Sequence, residues 1–318
     1  MRQWIVDAIP LSLKHAIGAG IGLFIAFIGL QNAGIVVDSE STLVTLGDIT
    51  HGTGLLAVIG LVISCTLVML HIRGGILVGI LITAVIGMFT KDPATGAAIT
   101  NFTGVISTPP SIKPIFMQFE WNQIFSLDML AVVFTFLFID MFDTMGTVIG
   151  VSQKAGFVDE NGKVDGLDKI FMADAIGTVC GACLGTSTTS TYVESSAGVG
   201  AGGRTGLTAF SAACCFVLAL LFAPVFLAIP GAATAPSLII VGMMMMTPVT
   251  KIDWLNYRES IPAFLTVILM PLAYSISDGI LIGMISYVVL YALSGKAKQI
   301  TPTMWVLAVL FILRYIFI

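Results

Sequence analysis

The residues best placed to do chemistry are carboxylates inside apolar segments. Asp140 and Asp143 lie three residues apart in the apolar run 127–151, and Thr147 follows one turn later. A spacing of three places both carboxylates on one face of a helix. Two close carboxylates in a medium of low dielectric cannot both ionise easily, so at least one is expected to hold a proton. The pair suits proton binding or a polar substrate, although a pair solvated at a helix end would also fit.

A third carboxylate, Glu194, follows a polar stretch. The run from Thr186 to Thr191 contains only serine and threonine and favours extended backbone. Thr191-Tyr-Val-Glu194 then matches the capping box that begins a helix. The sequence therefore predicts an extended stretch followed by a half-helix, interrupted within the membrane. We interpret Glu194 as a substrate ligand, because transporters direct such half-helices at their substrates; the alternative is that Glu194 only closes its own capping box. Asp174 fits a helix cap as well as a site residue.

The rest of the chain is unusually apolar. Of 318 residues, 57% are hydrophobic and 10% are charged, against about 45–50% and 25% in an average soluble domain. The mean hydropathy is +1.02. A soluble protein of this size would expose large apolar patches, and fibrous, disordered and disulfide-stapled proteins are excluded as well. The sequence predicts an all-α polytopic membrane protein.

The remaining composition argues against several classes of partner. The net charge of −4 is spread over the loops and indicates no nucleic-acid partner. The five cysteines and three histidines show no convincing metal-ligand spacing. We therefore expect no cofactor, no metal and no enzymatic activity.

Apolar runs separated by short polar breaks predict about ten crossings and a C-terminal apolar helix. Placing the start of the first run in the cytoplasm puts eleven of the fourteen lysine and arginine residues on that side, as the positive-inside rule requires. This topology predicts a multi-pass protein of the cell membrane with Lys296 and Lys298 in a cytoplasmic loop. The runs lie at 15–37, 53–70, 74–90, 127–151, 170–187, 188–203, 207–229, 232–248, 260–276, 278–294 and 303–317.

The interruption between Thr186 and Gly203 has no convincing counterpart elsewhere in the sequence. Transporters with interrupted helices usually consist of two inverted repeats, each of which contributes one interruption. The sequence therefore predicts less than a complete transporter, with the other half supplied by a partner chain or by a longer N-terminus.

The sequence resembles the nucleobase–cation symporter family 2, specifically the AzgA-like purine permeases. The resemblance covers essentially the whole chain and rests on the motifs Arg2–Gly18, Phe138–Gly146, Thr189–Ser195 and Ile261–Thr266. It implies fourteen helices in two inverted seven-helix repeats, of which this chain lacks the first four helices. The retained parts would be gate helices with an extracytoplasmic loop in residues 1–115, half of the substrate-carrying core in 116–229, and gate helices with the C-terminal apolar helix in 230–318.

The resemblance also implies a binding site. In such transporters a carboxylate on helix eight and a glutamate at the break in helix ten bind the base, and by motif these residues are Asp143 and Glu194. Backbone contacts beside the break are expected from Tyr192 and Val193. Thr147 matches a family position linked to proton coupling, although threonine cannot itself titrate usefully.

The resulting hypothesis is a purine transporter for hypoxanthine, guanine or adenine. It would work by alternating access in the lipid bilayer, with Asp140 or Asp143 carrying the coupling proton; Na⁺ coupling stays open, and family members often form homodimers. One alternative is a truncated, non-transporting fragment of such a permease. An intramembrane aspartyl protease is a distant alternative, because its two aspartates lie on separate helices. An anion permease is disfavoured, because two site carboxylates would repel an anion.

Overall fold

The computed structural model describes residues 8–72, 74–93, 96–109, 111–119, 127–159, 163–164, 166–192 and 194–317. Most of these residues are helical, as the apolar runs predict, and each predicted run overlaps a helix or the interruption. The α-helices are α1 (Leu11–Asn32), α2 (Gly52–Met69), α3 (Gly75–Gly87), α4 (Leu127–Ala155), α5 (Leu167–Leu184), α6 (Ser195–Gly200), α7 (Gly206–Leu221), α8 (Ala223–Leu227), α9 (Gly231–Met245), α10 (Tyr257–Leu272), α11 (Ile276–Leu293) and α12 (Pro302–Phe317). Two short 3-10 helices cover Thr247–Lys251 and Ala297–Gln299.

A two-stranded antiparallel hairpin between α1 and α2 departs from the predicted all-α fold. Its strands are β1 (Val36–Ser39) and β2 (Leu43–Leu46), paired so that Val36 lies opposite Leu46. The prediction was wrong here because hydropathy alone does not separate the end of an apolar helix from a short apolar strand. The β-branched residues of both strands favour extended backbone.

Four of the described helical segments are long and apolar enough to cross a membrane. They are α1, α2, α11, and α9 together with the 3-10 helix that follows it. Helices α3 and α7 and residues Pro302–Leu313 of α12 are apolar but shorter. These segments support a polytopic membrane protein, whereas the number of ten crossings and the orientation of the loops stay predictions.

The chain forms two compact units. One contains Met1–Phe24, Ser111–Ser196 and Met245–Ile318, and the other contains Ile25–Pro110 and Ala197–Met244. All site residues named from the sequence, from Asp140 to Glu194, belong to the first unit. The assignment of residues 1–115, 116–229 and 230–318 to gate and core domains concerns function and stays a prediction.

Close packing of α10 against α11 gives the first unit part of its core. Gly279 and Gly283 of α11 lie one turn apart and face Met270 and Thr266 of α10, which are both buried. The Thr266 hydroxyl donates to the carbonyl oxygen of Pro262 in its own helix, at 2.8 Å, so it does not need a partner on α11. Small residues at such positions let two membrane helices approach closely.

Replacing Gly283 with alanine is expected to lower the free energy of unfolding by about 1–3 kcal/mol, the usual cost of overpacking. The added Cβ would overlap the side chain of Thr266, whose β-branched χ1 is restricted. Thermal unfolding of the purified protein in detergent measures the effect. The matched control is Gly206→Ala, because a Cβ at that position meets nothing within 4 Å. Equal stability of the two variants would contradict the proposed packing.

Candidate functional site

One face of α4 carries the residues that the sequence marks as candidates for proton coupling. Asp140, Thr144 and Thr147 are spaced by four and three residues and therefore lie on one side of the helix. Thr144 and Thr147 are buried, at 0% and 3% exposure, and Asp140 is half-buried. Asp143 belongs to α4 by its backbone, but its side chain lies outside the described residues. The sequence reasoning missed Thr144, although its position four residues after Asp140 was the available signal.

Asp174 joins this face to the interrupted part of the chain. It lies inside α5, which begins at Leu167, so the interpretation of Asp174 as a helix cap is wrong. Its carboxylate is buried and accepts a hydrogen bond from the Thr144 hydroxyl, 3.1 Å from Oδ2. The other oxygen, Oδ1, accepts from the backbone N–H of Thr191 at 3.1 Å and from its hydroxyl at 3.3 Å. One side chain therefore connects α4, α5 and the segment that follows α5.

The interrupted segment, residues 186–200, begins with a non-helical segment, residues 186–192, which forms neither helix nor strand. Helix α5 ends at Gly185, which has a φ of 80° in the left-handed region that glycine adopts readily. The N–H of Gly185 donates to the carbonyl of Ala182, and the N–H of Thr186 donates to the carbonyl of Gly181. This Schellman pattern reverses the chain. The non-helical segment then returns along α5, where the Thr178 hydroxyl donates to the carbonyl of Thr189 at 3.1 Å.

Glycines on α5 make room for the returning chain. A Cβ added at Gly181 would lie 2.5 Å from the hydroxyl oxygen of Thr189 and 2.8 Å from that of Thr186. At Gly177, one turn earlier, the nearest atom would be the carbonyl oxygen of Thr189 at 3.6 Å. The sequence reasoning missed this stripe, although the spacing of Gly177, Gly181 and Gly185 by four residues marks one face of a helix.

Glu194 precedes α6, a helix of six residues. The predicted capping box does not form, because α6 begins at Ser195 and the backbone N–H of Thr191 donates to Asp174 instead of Glu194. Glu194 is exposed, and in the part of the chain that the structure describes it has no hydrogen-bond or ion-pair partner. The neighbouring Ser196 is buried and donates to the sulfur of Met245 at 3.2 Å, which anchors the first turn of α6.

The two residues predicted to offer backbone contacts, Tyr192 and Val193, directly precede Glu194 in the sequence. Tyr192 is 66% exposed and lies in the non-helical segment, and Val193 lies outside the described residues. Arg204 ends the segment, because its guanidinium donates to the carbonyls of Val199 and Gly203 at 2.6 and 2.8 Å. These bonds use Arg204 as a helix-terminating cation.

The arrangement offers hydrogen-bond acceptors to a ligand. An ionised carboxylate is an acceptor without donors, and the hydroxyls and backbone carbonyls of the non-helical segment add further acceptors. Asp174 is already occupied by Thr144 and Thr191, so it is suited to holding the segment. Glu194 is the carboxylate of this group that is exposed and without a partner among the described residues. A ligand rich in N–H groups would complement it.

Comparison of the sequence with known proteins identifies the family of this chain. The sequence model of the Permease family named Xan_ur_permease matches residues 1–308. The chain is 46% identical to the guanine/hypoxanthine permease PbuG of Bacillus subtilis, covering all of this chain and 71% of that protein. It is 38% identical to the adenine permease AdeQ of Escherichia coli, covering all of this chain and 70% of that protein.

A putative permease of Methanocaldococcus jannaschii is 44% identical over all of this chain and 72% of its own length. All of these relatives are permeases, which agrees with a transport protein and disfavours the intramembrane protease. The family match over almost the whole chain, together with this identity to curated permeases, shows that the protein belongs to the Permease family of membrane transporters.

Proposed function

We propose that this chain binds purine bases as part of a purine nucleobase transporter. The observation that carries the proposal is the exposed carboxylate of Glu194, which follows the non-helical segment that Asp174 holds in place through Thr191. Of the relatives named above, PbuG is a permease for guanine and hypoxanthine and AdeQ is a permease for adenine, and they share 46% and 38% identity with this chain. Purines of this kind carry ring N–H groups, and guanine and adenine carry an exocyclic amino group.

Recognition in this proposal rests on complementary hydrogen bonding. Glu194 accepts hydrogen bonds from the base, and Asp143 provides a second carboxylate. Backbone groups of Tyr192 and Val193 contact the edge of the base. Hydrogen bonds to a charged acceptor contribute about 1.5–3 kcal/mol each, roughly twice the contribution of neutral ones, so the two carboxylates supply most of the specificity.

The proposal extends to coupling and architecture. Protonation of Asp140 or Asp143, close to Thr147, couples purine movement to an H⁺ gradient, with Na⁺ as the other candidate ion. The helices form part of a fold of two inverted seven-helix repeats, in which a core rocks against a gate. The protein resides in the cell membrane with Lys296 and Lys298 on the cytoplasmic side, and it works as a homodimer.

Purine binding to the purified chain in lipid nanodiscs tests the proposal. Radiolabelled hypoxanthine, guanine and adenine are titrated against the wild type and Glu194→Gln. The glutamine amide keeps one acceptor and adds donors that oppose the N–H groups of the base. We expect a ten- to hundredfold loss of affinity, which corresponds to about 1.5–3 kcal/mol.

The matched control is Glu40→Gln, which makes the same change in the exposed turn of the β-hairpin. Its affinity should equal that of the wild type, and unchanged affinity of Glu194→Gln would contradict the site. Uptake into proteoliposomes under an H⁺ or a Na⁺ gradient then tests the coupling. Binding without uptake would assign this chain the binding step alone, as the non-transporting alternative requires.

A further inference from the structure

A polar cluster lies where α1 crosses α4, separate from the carboxylates described above. The two helices approach closely at Gly18 and Gly150, since a Cβ added at Gly18 would lie 3.6 Å from the Cα of Gly150. The side-chain amide of Gln153 occupies the space over Gly18, and the same added Cβ would lie 2.7 Å from its Oε1. Gln153 follows Thr147 by six residues, about 9 Å along the helix.

The Gln153 amide is only half satisfied. Its Nε2 donates to the backbone carbonyl of Lys14 at 3.3 Å and lies 3.3 Å from Nδ1 of His15. Its Oε1 is buried and has no hydrogen-bond partner in the part of the chain that the structure describes. Leaving a buried amide oxygen without a donor is unfavourable, so this site has an unused acceptor directly beside an ionisable ring.

The amide nitrogen and the amide oxygen of Gln153 suit different protonation states of His15. When Nε2 faces His15, Nδ1 must provide a lone pair, and the neutral ring carries its proton on Nε2. When His15 takes a proton from water at Nδ1, that nitrogen becomes a donor and opposes the amide N–H. A half-turn of the Gln153 amide then brings Oε1 to Nδ1, where Oε1 accepts the hydrogen bond that it otherwise lacks, and Nε2 gives up its bond to the Lys14 carbonyl. The Lys14 carbonyl keeps its position for the hydrogen bond within its own helix.

Several elements surround the His15 ring. It is 9% exposed, and the preceding Lys14 is 3% exposed. Lys251 of the 3-10 helix acts on His15 electrostatically, α4 presents the neutral Gln153, and α10 packs Ala263 near the adjacent Ala16. The ring is therefore held between helices rather than free in solvent, so its protonation has to be accommodated by these neighbours.

We propose that His15 and Gln153 form a proton-responsive contact between α1 and α4. Protonation of His15 reverses the Gln153 amide and replaces the two long neutral contacts of Nε2, both 3.3 Å, by one charge-assisted hydrogen bond from Nδ1 to Oε1. Because α4 also carries Asp140 and Thr147, the contact makes the position of that helix depend on pH. The inference concerns the protein without substrate and does not depend on purine transport.

Nitrogen NMR of histidine-labelled protein tests the proposal directly. The chain has three histidines, so His51→Gln and His71→Gln variants assign the ring signals by elimination. In the wild type at high pH, we expect His15 to carry its proton on Nε2. In Gln153→Glu, the carboxylate offers no donor and favours a charged ring. We therefore expect His15 to stay protonated up to a pH about one unit higher than in the wild type.

Two further variants complete the test. Gln153→Leu removes both ends of the amide and should abolish the tautomer preference of His15. Gln299→Leu makes the same change at an exposed position and should leave the His15 signals unchanged. If Gln153→Leu does not fold, the Gln153→Glu titration still decides. A wild-type ring with its proton on Nδ1 at high pH would overturn the proposal, as would equal titration of His15 in the wild type and in Gln153→Glu.

Discussion

Replacing Asp174 with alanine is expected to reduce purine binding below detection and to lower the free energy of unfolding by about 2–4 kcal/mol. The carboxylate accepts hydrogen bonds from the Thr144 hydroxyl and from two groups of Thr191. Each hydrogen bond to a charged group contributes about 1.5–3 kcal/mol, and the exposed side of Thr191 recovers part of this from water. Among the described residues, Asp174 is the side chain that hydrogen-bonds both to α4 and to the non-helical segment, so without it Glu194 loses its defined position three residues after Thr191.

Asparagine at position 174 provides the graded comparison. Its amide oxygen still accepts from Thr191, and its NH₂ group can donate to the Thr144 hydroxyl, which then acts as an acceptor. We expect Asp174→Asn to keep measurable purine binding and to unfold at a temperature between those of the wild type and Asp174→Ala. Radioligand binding and thermal unfolding on the same preparations separate the two effects. Normal purine affinity in Asp174→Ala would show that the carboxylate does not position the site.

Replacing Gly181 with alanine is expected to weaken purine binding tenfold or more, whereas Gly177→Ala should bind almost normally. The two changes are identical and lie one turn apart on the same face of α5. At Gly181 the new Cβ would meet the hydroxyl oxygens of Thr189 and Thr186 at 2.5 and 2.8 Å. The non-helical segment that carries these two threonines therefore has to move. At Gly177 the nearest atom is at 3.6 Å, an ordinary van der Waals distance.

Hypoxanthine binding to both variants measures this difference. The cost of the overlap at Gly181 is about 1–3 kcal/mol, the usual range for overpacking, and it falls on the segment that precedes Glu194. A protease-accessibility assay reports whether the segment has separated from α5. If the two alanine variants bind hypoxanthine equally well, close packing of the non-helical segment on the glycine face of α5 is not required for binding. The pair also controls for the effect of alanine on helix propensity, since both sites are helical.

The interruption shows how far local sequence information reaches. The run of serine and threonine predicts extended backbone because β-branched side chains restrict χ1, and the structure has neither helix nor strand at residues 186–192. The capping box at Thr191 and Glu194 was wrong, because Asp174, seventeen residues earlier, accepts the backbone N–H of Thr191 that Glu194 would accept in the box. That competition depends on the packing of α5 and could not be read from the motif.

The same limit applies to the β-hairpin and to the glycine stripe. Hydropathy measures how apolar a run is, and the apolar first residues of β1, Val36 and Val37, fall inside the first predicted span, 15–37, although α1 ends at Asn32. Gly181 carries no side chain, so its role appears only when the returning chain is placed beside it. In both cases the deciding contact lies outside the window over which a sequence pattern is read.

By itself, the sequence determined the membrane class, the approximate position of each helix, the interruption after α5 and the family, because each of these follows from residue types in a local window or from a match along the chain. Only the tertiary structure decided that Asp174 binds both Thr144 and Thr191, that Gln153 leaves one amide oxygen unused beside His15, and that Glu194 has no partner among the described residues. The physical reason is that a buried hydrogen bond requires atoms within about 3 Å of each other, and helix packing alone brings residues so distant in the sequence together.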